Sequence, residues 1–134
     1  MSTRSSYRFI EEWVNKQTGE TIRENLFLLY GHSDGYPTGY PMSVAKWLSE
    51  KPSFNGAGCL AAQFVRQVKT GIGQFYIHSI NDRGHIDEDY TYDIIVKPND
   101  DIELVCYKVN HSKQTSIKQL FTGTPNEFIN HFDK

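Results

Sequence analysis

The side chains best suited to chemistry lie in residues 31–41, with the sequence GHSDGYPTGYP. A histidine and a carboxylate stand two positions apart, at His32 and Asp34, and tyrosines follow at Tyr36 and Tyr40. An imidazole titrates near neutral pH, so His32 is a candidate general acid or base with Asp34 to orient it. The glycines and prolines restrict the backbone, which predicts a shaped loop after the apolar strand-like run 26–30.

Two His-x-Asp pairs raise the question of a metal site. His32 with Asp34, and His85 with Asp87, would each point two ligands to one side of an extended segment. Zinc or iron needs three or four such ligands, and no further metal motif completes the set. We therefore predict no metal and no cofactor. In the structural alternative, the Asp34 carboxylate caps backbone N–H groups of the turn and His32 forms loop hydrogen bonds.

Neither Ser33 nor Cys59 carries the pattern of a catalytic nucleophile. Ser33 lies between His32 and Asp34, and adjacent residues do not form a relay across space. Cys59 would gain thiolate character at the start of a helix, but its neighbours 60–62 are typical of a core. The sequence thus favours a protein without catalytic residues. An enzyme acting on a phosphorylated or nucleotide substrate through His32 and Asp34 is the alternative.

A glycine-rich segment, with Asn55, Gly56 and Gly58, leads into the clearest predicted helix. Free backbone N–H groups at the positive end of a helix dipole suit a phosphate or a carboxylate. Arg66 on that helix and Arg83 in a predicted turn would add positive charge. The segment lacks the Gly-Lys-Ser/Thr of a phosphate-binding P-loop. Close packing of the helix start against a strand explains the glycines equally well.

Aromatic side chains suggest a second kind of ligand contact. Tyr36 and Tyr40, with Trp47 nearby in the sequence, would form a platform for a base or another planar ligand. Packing of the two tyrosine rings over the prolines of their own loop is the alternative.

Composition limits the classes of protein that fit. The chain has 134 residues, of which 38% are hydrophobic, with a formal net charge of −2. This predicts one folded domain with a real core and gives no bulk attraction to nucleic acid. Residues 1–6 contain no apolar signal segment, no stretch is long enough to cross a bilayer, and there are two cysteines. A cytoplasmic protein with reduced thiols is expected.

The order of predicted elements indicates the fold class. A hairpin at 7–14 and 21–30 precedes two helices, one from Pro41 and one over 60–68; strands follow at 75–80, 90–96 and 102–109. A short strand at 116–121 remains open, and Thr124 with Glu127 forms a capping box for a final helix. We predict an α+β domain in the order β-β-α-α-β-β-β-α, with a mainly antiparallel sheet of about five strands. Residues 1–6 are expected to be flexible, and 7–134 to form one domain.

Several segments together resemble a family of small phage and prophage proteins. The matching pieces are Y-x-H-x-D-G-Y-P at 30–37, G-x-G-C-L-A-A-Q at 56–63, F-Y at 75–76 and D-Y-x-Y at 89–92, within residues 26–96. The resemblance implies an accessory protein of a virus or mobile element and supplies no activity.

These observations lead to one functional hypothesis. The chain is expected to bind a host factor in the bacterial cytoplasm and to counteract antiviral defence. It would do so by blocking a protein or by sequestering a small anionic, nucleotide-like signal. A homodimer is an open alternative, since symmetric dimers are the commonest assembly.

Overall fold

A computed structural model describes residues 3–68, 75–83, 86–111 and 115–133. Within these ranges the chain forms six strands and three helices, so the α+β prediction is confirmed. In chain order, the elements are β1 (Ser5–Val14), β2 (Thr21–Gly31), α1 (Tyr40–Ser49), α2 (Gly56–Val68), β3 (Phe75–His78), β4 (Tyr90–Val96), β5 (Ile102–Asn110), β6 (Ser116–Gly123) and α3 (Pro125–Phe132). None of these helices is long and apolar enough to cross a bilayer.

The six strands form one sheet in the order β3-β2-β1-β4-β5-β6. All neighbours are antiparallel except β1 and β4, which pair in parallel at the centre. The sheet therefore has six strands, one more than the predicted number of about five. The strand that the sequence leaves open, β6, pairs with β5 from Ser116 to Gly123. Its register shifts beside Cys106 and most of its residues are exposed, so its sequence lacks a regular apolar alternation.

The three helices pack on one face of the sheet, and aromatic rings fill the layer between them. Tyr7 stacks on Tyr92 of the neighbouring strand, with ring centroids 5.4 Å apart. Phe64 of α2 lies 5.4 Å from Tyr7 and 5.1 Å from Phe9, while Phe128 of α3 lies 6.4 Å from Tyr92. All of these side chains are buried. Their burial from water supplies the main driving force for docking the helices.

The opposite face of the sheet carries a buried cluster of charges. Arg8 of β1 donates two hydrogen bonds to the Asp93 carboxylate of β4, at 3.0 and 2.9 Å. Arg83 lies 3.3 Å from the same carboxylate and stacks 4.4 Å above the Tyr107 ring. The Tyr107 hydroxyl donates to Asp93 at 3.2 Å. Arg83, in the segment after β3, therefore lies over this face, and β4 is buried on both sides.

The N-terminal segment is more ordered than predicted. The sequence predicts flexible chain through residue 6, but β1 begins at Ser5, and Ser5 and Ser6 are buried. Ser6 donates a 2.7 Å hydrogen bond to Thr91, and the Arg4 guanidinium contacts Asp87 at 2.6 Å. The expectation of flexibility is wrong for these residues because β4 and the residues just before it supply partners that are distant in the sequence.

Candidate functional site

Backbone hydrogen bonds hold the 31–41 loop against one end of the sheet. The Gly35 N–H donates to the carbonyl of Thr3 at 2.9 Å, and the Gly35 carbonyl accepts from the buried Tyr92 hydroxyl at 2.6 Å. A Cβ at position 35 would lie 2.5 Å from the Cβ of Ser5. Only glycine permits this approach, so residue 35 anchors the loop to β1 and to the aromatic core.

Backbone hydrogen bonds then close the loop before α1 begins. The Tyr40 N–H donates to the Asp34 carbonyl at 2.7 Å, and the Gly39 N–H donates to the Tyr36 carbonyl at 2.8 Å. Pro37 and Pro41 are buried beneath this turn. The loop is thus shaped by its main chain, as the glycines and prolines predict.

The polar side chains of the loop face solvent. His32, Ser33 and Asp34 are exposed, and Tyr36 is 41% exposed. Asp34 has φ of 56°, in the left-handed region, which is costly for a residue with a side chain. Its carboxylate makes no hydrogen bond to any described residue, so the predicted side-chain cap is wrong. The Asp34 carbonyl closes the turn instead, and its carboxylate is left for solvent or a ligand.

His32 is positioned by Tyr30 rather than by Asp34. The Tyr30 hydroxyl lies 3.3 Å from His32 Nδ1. The Tyr30 ring also packs against His78, at 5.6 Å, and against Tyr76, at 6.4 Å, both on β3. A tyrosine hydroxyl is protonated at neutral pH, and burial raises the pKa of Tyr30 further, so this hydroxyl is a hydrogen-bond donor. Sequence reasoning missed this contact, although residues 30 and 32 share one face of an extended segment.

The structure does not assemble the proposed metal ligands. His85 lies outside the described residues, and its partner Asp87 is bound to the Arg4 guanidinium. Among the described residues, no three of the histidine, cysteine, aspartate and glutamate side chains converge to hold a metal ion.

The sequence predicts that the start of α2 binds an anion. In the structure, a carboxylate from β1 already contacts this helix start. The Glu11 side chain accepts the Ala57 N–H at 2.9 Å. Gly56 has φ of +80°, and a Cβ there would lie 2.9 Å from the same carboxylate oxygen. Asn55 and Gly58 are exposed, with open space around Gly58. An external anion would have to displace Glu11 from this position.

The residues predicted to bind a ligand therefore lie in separate parts of the structure. Gly35 packs against Ser5, whereas the start of α2 contacts Glu11, six residues and about 20 Å further along β1. Arg66 is exposed on α2, eight residues beyond Gly58, or about 12 Å along the helix. Arg83 is held on the far face of the sheet by Asp93. The loop and the start of α2 thus do not form one site.

The aromatic platform is assembled in part. Tyr40 and Trp47 line the same cavity, of about 210 Å³, between α1 and α2. Tyr36 is not among the residues that line this cavity. It stays on the exposed side of the loop with His32 and Asp34.

Two larger cavities, of about 600 and 610 Å³, lie beside the β4–β5 turn and the start of α3. The charged groups of the first already pair with one another: Lys97 lies 3.0 Å from Glu12 and 3.6 Å from Glu103. Neither cavity is lined by a residue that the sequence predicts to bind a ligand. The loop therefore remains the candidate site, because it presents predicted ligand-binding side chains to solvent.

Comparison of the chain with protein-family models, with curated proteins and with solved structures finds no match.

Proposed function

We propose that this chain is a non-catalytic binding protein that contacts a host factor through the exposed side chains of the 31–41 loop. The loop surface consists of His32, Asp34 and Tyr36. The main support for the proposal is the contrast between the backbone of the loop, which the protein holds in place, and its exposed side chains. Its backbone is bound to Thr3 and Tyr92, while the side chains of His32, Asp34 and Tyr36 are exposed.

Pre-organisation supports a binding role. A loop that is already held in one shape loses little conformational entropy when a partner docks, so more of the contact energy appears as affinity. Exposed tyrosine is also a frequent anchor residue in protein interfaces. The Asp34 carboxylate adds a negative charge that makes no hydrogen bond to the described residues.

The resemblance to small phage and prophage proteins supplies the proposed biological setting. In that setting the protein acts in the host cytoplasm and blocks a component of antiviral defence. The start of α2 is a less favoured position for a small anionic signal, because the Glu11 carboxylate already accepts the Ala57 N–H there.

Paired asparagine variants test this proposal. Asp34→Asn removes the loop carboxylate and keeps a residue type that tolerates positive φ. Asp100→Asn is the matched control, because Asp100 is also exposed and has φ of 67°. Immobilised wild-type protein, the two asparagine variants and Tyr36→Ala are incubated with lysate of a defence-positive bacterial strain, and retained proteins and small molecules are identified by mass spectrometry.

The proposal predicts a component that the wild type and Asp100→Asn retain and that Asp34→Asn and Tyr36→Ala retain about ten-fold less. Equal retention by all four proteins would contradict the loop as the binding surface. Multiple-turnover conversion of an added nucleotide that disappears in His32→Ala would establish the enzymatic alternative instead.

A further inference from the structure

A groove between α1 and α2 has the shape and chemistry of a site for a flat ring. It encloses about 210 Å³ and is lined by Tyr40, Ser43, Val44, Trp47, Phe64 and Gln67. The α1 residues are spaced three or four apart, so they share one helix face, and the two α2 residues are three apart. We call this surface the α1–α2 groove.

The aromatic rings of the groove are held in place by the core. Tyr40 packs on Phe75 with centroids 5.3 Å apart, and Trp47 packs on Phe64 at 6.2 Å. Phe64 is fully buried, whereas Tyr40 and Trp47 are only half-buried. Two supported rings therefore line the cavity while remaining accessible, as a stacking ligand requires.

The polar groups of the groove are available to a ligand. Tyr40 and Ser43 carry hydroxyls, Trp47 an indole N–H and Gln67 an amide. Within the described parts of the chain, none of these side-chain groups hydrogen-bonds to the protein. The Tyr40 hydroxyl is protonated at neutral pH, and burial raises its pKa further, so it is a donor. An aromatic cavity with several free donors and acceptors suits a planar ring with a hydrogen-bonding edge.

Size and charge narrow the ligand further. Sites for drug-sized molecules occupy roughly 300–1,000 Å³, so a cavity of about 210 Å³ takes one ring system and leaves the rest of the ligand outside. The formal net charge of −2 gives no general attraction to a polyanion.

We propose that the α1–α2 groove binds the base of a free nucleotide, whose phosphate remains in solvent outside the groove. The base stacks on the accessible rings of Tyr40 and Trp47, and its edge bonds to Ser43 and Gln67. This site is separate from the loop surface, and the proposal does not depend on the loop.

The two tryptophans of the chain permit a direct test, because they are Trp13 and Trp47. Trp13→Phe leaves Trp47 in the groove as the single reporter. Trp47→Phe leaves Trp13, which is 44% exposed on β1, as the matched control. Each protein is titrated with the four nucleoside 5′-monophosphates, and its fluorescence is corrected for absorption by the nucleotide.

Saturable quenching of Trp47 by at least one nucleotide, with no saturable change at Trp13, is the expected result. Gln67→Ala, at an exposed position that leaves the fold intact, and Tyr40→Ala should each weaken binding by about ten-fold. No saturable quenching at millimolar nucleotide, or equal quenching of both reporters, would overturn the proposal. Tighter binding of a single-stranded oligonucleotide than of any monophosphate would overturn the assignment to a free nucleotide.

Discussion

The carboxylate of Glu11 in β1 lies 2.9 Å from the backbone nitrogen of Ala57 and accepts its hydrogen bond. This contact joins the central strand to the first turn of α2 across 46 positions of sequence. It satisfies a donor that the helix itself leaves free and places a negative charge at the positive end of the helix dipole. The close approach to Glu11 thereby explains Gly56, whereas open space surrounds Gly58.

Removal of this carboxylate should destabilise the fold and expose an anion position. We expect Glu11→Ala to lower the free energy of unfolding by about 1 kcal/mol, as loss of a helix cap does. Urea melts with and without inorganic phosphate measure both effects. Phosphate should stabilise the variant more than the wild type, because the Ala57 N–H has lost its acceptor. Equal stabilisation of both proteins by phosphate would show that Glu11 does not occupy the position.

The buried carboxylate of Asp93 should be among the most sensitive polar positions of the fold. Its side chain is 3% exposed and it binds Arg8, Arg83 and Tyr107. Asp93→Ala would leave buried guanidinium groups without a counter-charge, so we expect a loss of about 3 kcal/mol in the free energy of unfolding. The exposed Asp133→Ala serves as the control in the same denaturant melts, with an expected change within about 0.5 kcal/mol. Similar losses in both variants would contradict the cluster as a stabilising element.

The two cysteines should differ in their reaction with alkylating agents. Hydrogen bonds from the Asn55 backbone and from the Gln63 side chain lower the pKa of Cys59, whereas burial raises the pKa of Cys106 to about 12. Iodoacetamide should therefore label Cys59 in the native protein with a midpoint below that of an unperturbed thiol. Cys106 should react only after unfolding. Peptide mass spectrometry over a pH series measures both rates.

Gln63→Ala provides the internal check, because loss of its hydrogen bond should shift the Cys59 midpoint to higher pH. A lowered pKa in the folded state favours the thiolate there. The resulting stabilisation is present above the unfolded-state pKa and is lost as the pH falls through the folded-state pKa. An unchanged midpoint in Gln63→Ala would refute the assigned cause.

Stability measurements on Asp34 should separate its backbone role from its carboxylate. Asp34 has φ of 56°, and its side chain makes no hydrogen bond to the described residues. Asp34→Asn and Asp34→Gly should leave the free energy of unfolding within about 0.5 kcal/mol of the wild type, because both residues tolerate this φ. Asp34→Ala should lose about 1 kcal/mol through backbone strain. A large loss in Asp34→Asn would instead make the carboxylate structural.

The sequence predicted those parts of the fold that depend on local patterns. Alternation in β4, the helical spacing from Leu60 to Phe64 and the capping box at Thr124 all describe neighbours along the chain, and the structure confirms each element. The sixth strand lacked such a pattern, because β6 is mostly exposed and its register is interrupted.

Long-range partners limited the prediction of the site. The sequence suggests that Arg83 is a free cation in a turn. Its pairing with Asp93 depends on the position of β4 in the sheet, which the local sequence does not predict. Likewise, no sequence pattern near the α2 glycines predicts their contact with Glu11, which lies in the first strand. The loop was recognisable because glycine and proline encode its shape locally. The exposure of its side chains depends on packing against Thr3 and Tyr92 and required the structure.

Position-specific crosslinking in cells tests the central claim most directly, namely that the loop surface contacts a host factor. A photoreactive phenylalanine analogue is placed at Tyr36, which is 41% exposed, and in a control protein at Trp13, which is 44% exposed on β1 away from the loop. The account predicts a discrete adduct with a host component at position 36. That adduct should be lost on adding Asp34→Asn and should be absent at position 13. The same adducts at both positions, or an adduct at position 13 alone, would contradict the claim.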